Sequence, residues 1–203
     1  PKDIIENGMD GDGDGVVDLK GSAPDALMSG ANVLSSLGWH PNEPWLQEIN
    51  VPANLDWAQT GLGRVKSGAD WAALGVTSRN SQIATNLDAS VLLPMGRNGP
   101  AFLAYPNFDV YFEWNKSFVY VTTAAYFATR LEGAPPYAVG NPDLALSGDE
   151  MKQLQTKLTQ LGYDVGAIDG ILGAKTRAAV QAVQTKLGLP ADAWPTQPLL
   201  NQL

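Results

Sequence analysis

Aspartate and glycine alternate from Asp10 to Gly15, and this pattern restricts the local fold more than any other stretch of the chain. The glycines favour a tight turn, because glycine adopts positive φ angles without steric cost. The aspartates would then lie on the inside of one loop, where their negative charges repel each other unless a cation is bound. A solvated acidic turn without a cation is the alternative that the sequence leaves open.

The spacing of these aspartates matches the first half of an EF-hand calcium loop. The glutamate that normally closes such a loop is missing, since Gly21 stands in its place. The next carboxylate is that of Asp25, four residues after the usual position of this glutamate and where a helix is predicted to begin. One structural calcium ion is therefore predicted, and its expected ligands are the side chains of Asp10, Asp12, Asp14 and Asp25 and the carbonyl oxygen of Val16. Asp18 stands where a water-mediated ligand is common, and the sequence does not tell whether it binds the ion directly.

Composition and charge exclude several kinds of partner. The chain has 203 residues and is 44% hydrophobic, enough for a buried core in one or two domains. Its net charge of -8 argues against a nucleic-acid partner. No apolar run approaches the roughly 20 residues that a transmembrane helix needs. The absence of cysteine excludes disulfides and thiol chemistry. The protein is expected to be a monomer.

Periodicity predicts a mixture of helices and strands before residue 133. The expected elements are helices over residues 26–38, 67–74 and 117–132, and a β-rich segment over residues 45–114 with a hairpin that joins 91–94 to 101–105. Within that segment, apolar residues at 108, 110, 112 and 114 alternate with polar or amphipathic ones, which predicts a half-buried strand.

Residues 133–147 are predicted to be a linker, because they contain three prolines and no clear periodicity. Helical patterns return after it, and the sequence from Ser147 to Glu150 has the spacing of a capping box. Residues 148–203 are therefore expected to fold alone as a three-helix bundle, which the linker would allow to move.

Residues 154–189, LQTKLTQLGYDVGAIDGILGAKTRAAVQAVQTKLGL, resemble the peptidoglycan-binding module found at the ends of bacterial cell-wall enzymes. The matching features are the LQ..L..LGY opening, the DG..G..T loop and the helix with A-V-x-x-x-Q. The chain departs from that module at Ala193-Trp194, where the module often carries an Asp-Gly pair.

Residues 10–132 resemble the C-terminal part of the lytic transglycosylase B family, bacterial enzymes that cleave peptidoglycan without water. The resemblance rests on the DGDGDG loop with the following PDALMSGANVLSSLGW, and on residues 99–133. In that second segment, Trp114-Asn115-Lys116-Ser117 matches an aromatic-Asn-x-Ser motif of the family, with Trp where Tyr is usual. The resemblance implies an α+β fold with part of a lysozyme-like helical core and a small antiparallel β subdomain.

The resemblance also implies the chemistry. Family members cleave the β-1,4 bond between MurNAc and GlcNAc and form 1,6-anhydro-MurNAc, with one glutamate as general acid and then base. In the family that glutamate lies upstream of the calcium loop. No glutamate of this chain has the family's sequence context, so the catalytic residue is expected outside it and the chain alone is expected to be inactive.

The resemblance implies that Asn115, Ser117 and Tyr120 line the substrate groove. The local sequence offers a second role, since both Asn and Ser are favoured N-caps of helices. For Ser117 the cap is the preferred role.

Two function classes remain. The first is part of a lytic transglycosylase of the bacterial envelope or periplasm, with peptidoglycan glycan strands as its partner. Pro1 is no initiator methionine, so the sequence is expected to come from the middle of a longer polypeptide, whose missing N-terminus leaves room for a lipid anchor. The alternative is a non-catalytic, calcium-stabilised fragment that binds the wall.

Overall fold

The computed structural model of the chain describes residues 2–203, with side chains described from residue 5 onward. The helices are α1 (Lys2–Asn7), α2 (Ala23–Ser36), α3 (Gly68–Ala73), α4 (Pro106–Trp114), α5 (Phe118–Leu131), α6 (Gly148–Gln160), α7 (Ala174–Lys186) and α8 (Gln197–Gln202), and a 3-10 helix lies at Trp57–Gln59. The strands are β1 (Leu46–Asn50), β2 (Val65–Ser67), β3 (Thr77–Ser78), β4 (Asp88–Leu92) and β5 (Ala101–Ala104). This mixture agrees with the predicted α+β class.

The strands form one antiparallel sheet in the order β2-β4-β5-β1-β3. β4 and β5 are the two arms of the predicted hairpin, which is confirmed, although β4 begins earlier than expected. Ser90 pairs with Ala104 and Leu92 with Phe102 across this hairpin. The β structure ends at Ala104, ten residues before the end of the β-rich segment predicted over residues 45–114.

Both faces of the sheet are buried, which explains the continuous apolar runs of its central strands. One apolar cluster lies between the sheet and the fully buried Trp71 of α3. The other lies between the sheet and the α4–α5 pair, which contributes Phe108 and Phe118. Along β4, Val91 belongs to the first cluster and Leu92 to the second, as the period of a strand requires.

The strand predicted for residues 108–114 is wrong, because these residues form α4. Pro106 lacks the N–H that a sheet ladder needs, and its fixed φ suits the first turn of a helix. The aromatic residues at 108, 111 and 112 fit one helix face as well as they fit alternation. Nine residues are too few to separate the two periods.

Asn107 in the first turn of α4 is fully buried and joins α4 to the segment after α2. Its Nδ2 donates to the carbonyl oxygens of His40 and Glu43 at 2.8 and 2.9 Å, and its Oδ1 accepts from the His40 N–H. A buried amide with all of these partners fixes the position of α4. No sequence pattern singled it out.

The acidic loop connects α1 to α2, and these two helices contact each other. The Met9 N–H donates to Ser29 Oγ at 2.8 Å, and Asn32 Nδ2 donates to the Asn7 carbonyl at 3.2 Å. The helix predicted at residues 26–38 is therefore present, but it begins at Ala23 with Ser22 as its N-cap.

Serine caps three further helices. Ser67 caps α3, which confirms the helix predicted at residues 67–74, and Ser117 caps α5, which confirms the helix predicted at 117–132. Ser147 and Glu150 form the predicted capping box at the start of α6: Ser147 Oγ accepts from the Glu150 N–H, and the Glu150 carboxylate accepts from the Ser147 N–H.

Helices α6, α7 and α8 pack around an apolar cluster of their own. Its fully buried members are Leu154 and Leu158 of α6 and Val180 of α7, and Leu199 and Leu200 are contributed by α8. This second core makes residues 148–203 a separate packing unit.

Residues 133–147, the connecting segment, contain no helix or strand before Gly148 but lie against both units. The ring of Tyr137 packs on that of Tyr126 with centroids 4.9 Å apart. The Asn141 N–H donates to the Asn98 carbonyl at 2.8 Å, and the Asp143 carbonyl accepts from Trp194 Nε1 at 3.0 Å. These contacts disagree with the expectation of a linker that allows free movement.

Among the described residues no helix combines the length and the apolar character needed to cross a membrane.

Candidate functional site

The turn between α4 and α5 and the start of α5 hold the three residues that the family resemblance places in the substrate groove. The backbone leaves α4 at Asn115 in an extended conformation, and Asn115 Oδ1 accepts from the Ser117 N–H at 2.9 Å. Ser117 Oγ in turn accepts from the Tyr120 N–H at 3.3 Å, so Ser117 is the N-cap of α5. Asn115 Nδ2 has no partner among residues 2–203, which leaves one amide donor open to a ligand.

Two aromatic rings stand beside this donor. Trp114 and Tyr120 are 51% and 49% exposed, and their ring centroids lie 6.0 Å apart with a tilt of 58°. Half-exposed indole and phenol rings of this kind offer apolar faces together with polar edges. The sequence named Tyr120 as a groove residue, but it treated Trp114 only as a variant of the motif.

Of the two acidic groups near the turn, one is held in an ion pair and the other has no contact with the groove residues. Glu113 is exposed and its carboxylate lies 2.6 Å from Lys116 Nζ. Asp109 lies one helical turn earlier, and burial, with a smaller contribution from the charge of Glu113, raises its pKa above the ordinary value. No contact in the structure joins Asp109 to Asn115 or Tyr120.

The acidic loop brings together three of the four predicted carboxylate ligands. Oxygen atoms of Asp10, Asp12 and Asp25 all lie within 4.8 Å of one another. Asp25 is fully buried, and its two carboxylate oxygens accept from the N–H groups of Gly11 at 2.8 Å and Asp18 at 2.7 Å. The hydrogen bond from Asp18 is the main reason that the pKa of Asp25 is lowered.

The fourth carboxylate, Asp14, lies outside that group and accepts from the Val16 N–H at 2.8 Å. Asp12 also accepts from Ser22 Oγ at 2.6 Å. The Asp18 carboxylate accepts from the N–H groups of Lys20 and Gly21 and is not part of the group, which Asp18 contacts through its backbone N–H. Three hard oxygen ligands at this separation fit Ca²⁺, whereas Asp14 would have to turn toward the ion.

Comparisons with known proteins assign the two units. Residues 1–129 match the sequence model described as "Transglycosylase SLT domain", and residues 147–203 match "Putative peptidoglycan binding domain". The chain belongs to the transglycosylase SLT family. We call residues 1–129 the transglycosylase domain and residues 147–203 the peptidoglycan-binding module.

Solved structures agree with this assignment. Two crystal structures of SltB3 from Pseudomonas aeruginosa, in complex with NAG-anhNAM-pentapeptide and with NAG-NAM-pentapeptide, are each 37% identical to the chain with a TM-score of 0.84. They cover the whole of this chain, but the chain spans only 56% of SltB3. No curated protein matches the chain. The mixed helical and antiparallel architecture is consistent with a lysozyme-like transglycosylase fold.

The peptidoglycan-binding module contacts the transglycosylase domain beside the α4–α5 turn. The guanidinium of Arg177 in α7 lies 4.6 Å from the ring centroid of Phe118, which directly follows the capping Ser117. Arg177 also donates to the carbonyl oxygens of Leu93 and Pro94, at 3.3 and 2.6 Å, just after β4 ends.

Two more residues of the module contact the transglycosylase domain. Gln181 Nε2 donates to the carbonyl oxygens of Trp57 and Thr60, at 3.1 and 2.8 Å. Trp194 lies so close against Gly96 that a Cβ atom at position 96 would come within 2.7 Å of the Trp194 Cβ. The only sequence signal for this interface was the unusual Ala193-Trp194 pair; Arg177 and Gln181 have the pattern of ordinary helix residues.

Proposed function

We propose that the chain is the C-terminal part of a peptidoglycan lytic transglycosylase, and that its α4–α5 turn forms one wall of the glycan groove. The observation that carries this proposal is the exposed pair of Trp114 and Tyr120 together with the open amide donor of Asn115, in a chain of the transglycosylase family. Glycan strands offer apolar ring faces and N-acetyl carbonyls, which match rings and an amide donor.

The proposed reaction breaks the β-1,4 bond between MurNAc and GlcNAc. One carboxyl group protonates the leaving oxygen and then takes the proton of the MurNAc 6-hydroxyl, whose oxygen closes a 1,6-anhydro ring. This scheme uses one carboxyl group where most glycosidases use two. The role of this chain is to bind and orient: the two rings hold the sugar, and Asn115 Nδ2 donates to an N-acetyl oxygen or to the catalytic carboxylate.

The general acid is proposed to lie in a part of the protein outside these residues. A separate wall-binding fragment without catalysis is the second candidate. The ion pair between Glu113 and Lys116 favours it, because Lys116 occupies the carboxylate of the glutamate nearest the turn. The two candidates differ in whether a longer polypeptide releases anhydromuropeptides.

Calcium is proposed as a structural ion held by Asp10, Asp12 and Asp25, with Asp14 and the Val16 carbonyl as the remaining protein ligands. The bound ion would neutralise the repulsion between the carboxylates and pin the loop to α2. No second loop of this kind occurs in the sequence, so a structural role is favoured over that of a sensor.

The site of action proposed from this chemistry is the bacterial envelope, in the periplasm, with or without a lipid anchor. The proposed partner is peptidoglycan itself, and a monomer is sufficient for the site described.

Pelleting with insoluble peptidoglycan tests the binding part of the proposal. We expect the chain to co-sediment with purified sacculi, and Trp114→Ala with Tyr120→Ala to weaken this binding at low protein concentration. Phe127→Ala is the matched control, because Phe127 is exposed on the same helix and belongs to no ring pair. Equal sedimentation of the chain with and without sacculi would contradict the proposal.

Product analysis tests the catalytic part. We expect no anhydromuropeptide from the present chain, and release from a longer polypeptide that supplies the glutamate. Anhydro product from the present chain would overturn the placement of the acid, and Glu113 would be the first residue to substitute.

A further inference from the structure

A cavity of about 310 Å³ lies between the transglycosylase domain and α7 of the peptidoglycan-binding module. Both units line it, and the residues that matter here are Leu62, Arg64, Leu92, Phe118, Arg177 and Ala178. Its volume is at the lower end of the range for small-molecule sites, which are mostly apolar with a few polar groups.

Arg177, a partly buried cation in its wall, has no carboxylate within ion-pair distance among the described residues. Its guanidinium contacts two carbonyl oxygens and the rings of Phe118 and Trp194, and no carboxylate among the described residues lies within 4.0 Å of it. Burial lowers the pKa of Arg177 to about 10, so it remains charged at neutral pH. A largely desolvated charge without an ion-pair partner in direct contact is costly, and a bound anion would reduce that cost.

The one carboxylate that lines the cavity, Asp192, attracts the Arg177 guanidinium from a distance and offsets its charge only in part. Asp192 is almost fully buried, and it accepts from Gln184 Nε2, the Trp194 N–H and the Arg97 N–H. The guanidinium of Arg97, at 3.7 Å, balances its charge. The oxygens of Asp192 are thus already hydrogen-bonded.

A second cation stands at the cavity, and it is exposed. Arg64 has no side-chain hydrogen bond or ion pair with any of residues 2–203. The chain has a net charge of -8, yet Arg64, Arg97 and Arg177 gather at this interface. Asp192 is one carboxylate beside these three guanidinium groups, so the interface carries a surplus of positive charge beside apolar surface from Leu62, Leu92 and Ala178.

We propose that this cavity binds a carboxylate-bearing fragment of peptidoglycan, with Arg64 and Arg177 attracting the carboxylate and the apolar floor taking a methyl group. The ligand has two sources in the wall, the carboxyl end of a stem peptide and the lactyl carboxylate of an N-acetylmuramic acid residue that carries no stem peptide. This inference rests on the proposed function, since it takes the wall polymer as the ligand.

Calorimetric titration of the present chain tests the chemistry with two acids and their uncharged analogues. D-Alanyl-D-alanine is compared with its C-terminal amide, and N-acetylmuramic acid with N-acetylglucosamine. We expect one of the acids to bind with a dissociation constant on the order of 1 mM or below, and its uncharged analogue to bind at least about tenfold more weakly. The acid that binds identifies the source.

Arg64→Gln places the binding in the cavity, because this exposed side chain contributes no contact to the fold. We expect it to weaken acid binding at least about tenfold, the scale of a lost charged hydrogen bond. Lys186→Gln is the matched control, since it removes an equal charge from the exposed end of α7. It should leave binding unchanged.

The proposal is overturned if neither acid binds, if an acid and its uncharged analogue bind equally, or if Arg64→Gln and Lys186→Gln have the same effect. Sacculus pelleting separates this result from the proposed function. A chain that pellets but binds neither acid keeps its wall-binding function and loses the cavity site, whereas failure to pellet contradicts the wall-binding function itself.

Discussion

The acidic loop before α2 and the turn between α4 and α5 are both short connections with capping residues, but they are organised for different ligands. In the loop, carboxylates accept backbone N–H groups: Asp10 takes those of Gly13 and Gly15, and Asp25 those of Gly11 and Asp18. The loop therefore concentrates negative charge on a fixed backbone. A region of this kind selects a cation.

The α4–α5 turn shows the opposite arrangement. Its two hydrogen bonds use only the acceptors of Asn115 and Ser117, and they leave an amide donor and two half-exposed rings toward solvent. Such a surface suits an uncharged ligand with flat faces and carbonyl groups. In both segments the side-chain oxygens accept backbone N–H groups. What distinguishes the ligands they suit is therefore the charge and the polar or aromatic groups that remain without a partner.

The largest expected effect lies in the turn. In a longer polypeptide with the catalytic glutamate, we expect Asn115→Ala to lower turnover by roughly one to three orders of magnitude, because a positioned donor near developing charge is lost. The measurement is the rate of anhydromuropeptide release from sacculi.

Asn115→Asp sharpens this prediction, since it keeps the acceptor for the Ser117 N–H while a charged carboxylate oxygen replaces the amide donor. We expect it to be as impaired as Asn115→Ala. Full activity of the aspartate variant would show that Asn115 only shapes the turn.

The next effect lies in the loop. We expect Asp12→Ala to weaken calcium binding at least about tenfold, because the ion loses one of three converging carboxylates. Asp14→Ala should have a smaller effect, since Asp14 stands outside that group and accepts from the Val16 N–H. Titration calorimetry with Ca²⁺ would measure both. Equal losses would show that Asp14 turns inward when the ion binds.

Removal of the metal separates the two regions. We expect a chelator to lower the thermal midpoint by several degrees, because a ligand that binds only the folded state stabilises it. The affinity of the α4–α5 turn for sacculi should stay the same under these conditions. An unchanged midpoint, together with no Ca²⁺ binding by calorimetry, would leave the acidic loop as a solvated turn.

The smallest effect concerns the cap. Ser117→Ala should destabilise the protein by about 1 kcal/mol, which is typical of a lost N-cap. Thr123→Ala is the control on the same helix, because the Thr123 hydroxyl donates only to the Val119 carbonyl within α5. Chemical denaturation measures both, and a Ser117 variant as stable as the Thr123 variant would remove the capping role.

Local signals in the sequence were sufficient where a few neighbouring residues decide the structure. The capping box at Ser147 and Glu150 and the hairpin around residues 96–100 are of this kind, and both are present. The strand predicted for residues 108–114 failed because Pro106, just before it, outweighed an ambiguous periodicity.

Contacts between distant residues could not be predicted in this way. Arg177 meets Phe118 and the carbonyl of Pro94 across more than fifty residues of sequence, and one chain gives no pattern that links them. The same holds for the carboxylate group of Asp10, Asp12 and Asp25. The spacing in the sequence predicted these ligands, but only the structure shows that Asp14 is not one of the group.

The contacts of the connecting segment have a consequence for proteolysis. Upstream, the ring of Tyr137 packs on that of Tyr126, and downstream the Asp143 carbonyl accepts a hydrogen bond from Trp194. Arg177 of α7 also donates to the Pro94 carbonyl, just after β4. A protease that cuts between residues 138 and 142 would therefore leave two fragments that remain associated. The nicked protein would elute from a sizing column as the intact one does and separate into two bands only after denaturation.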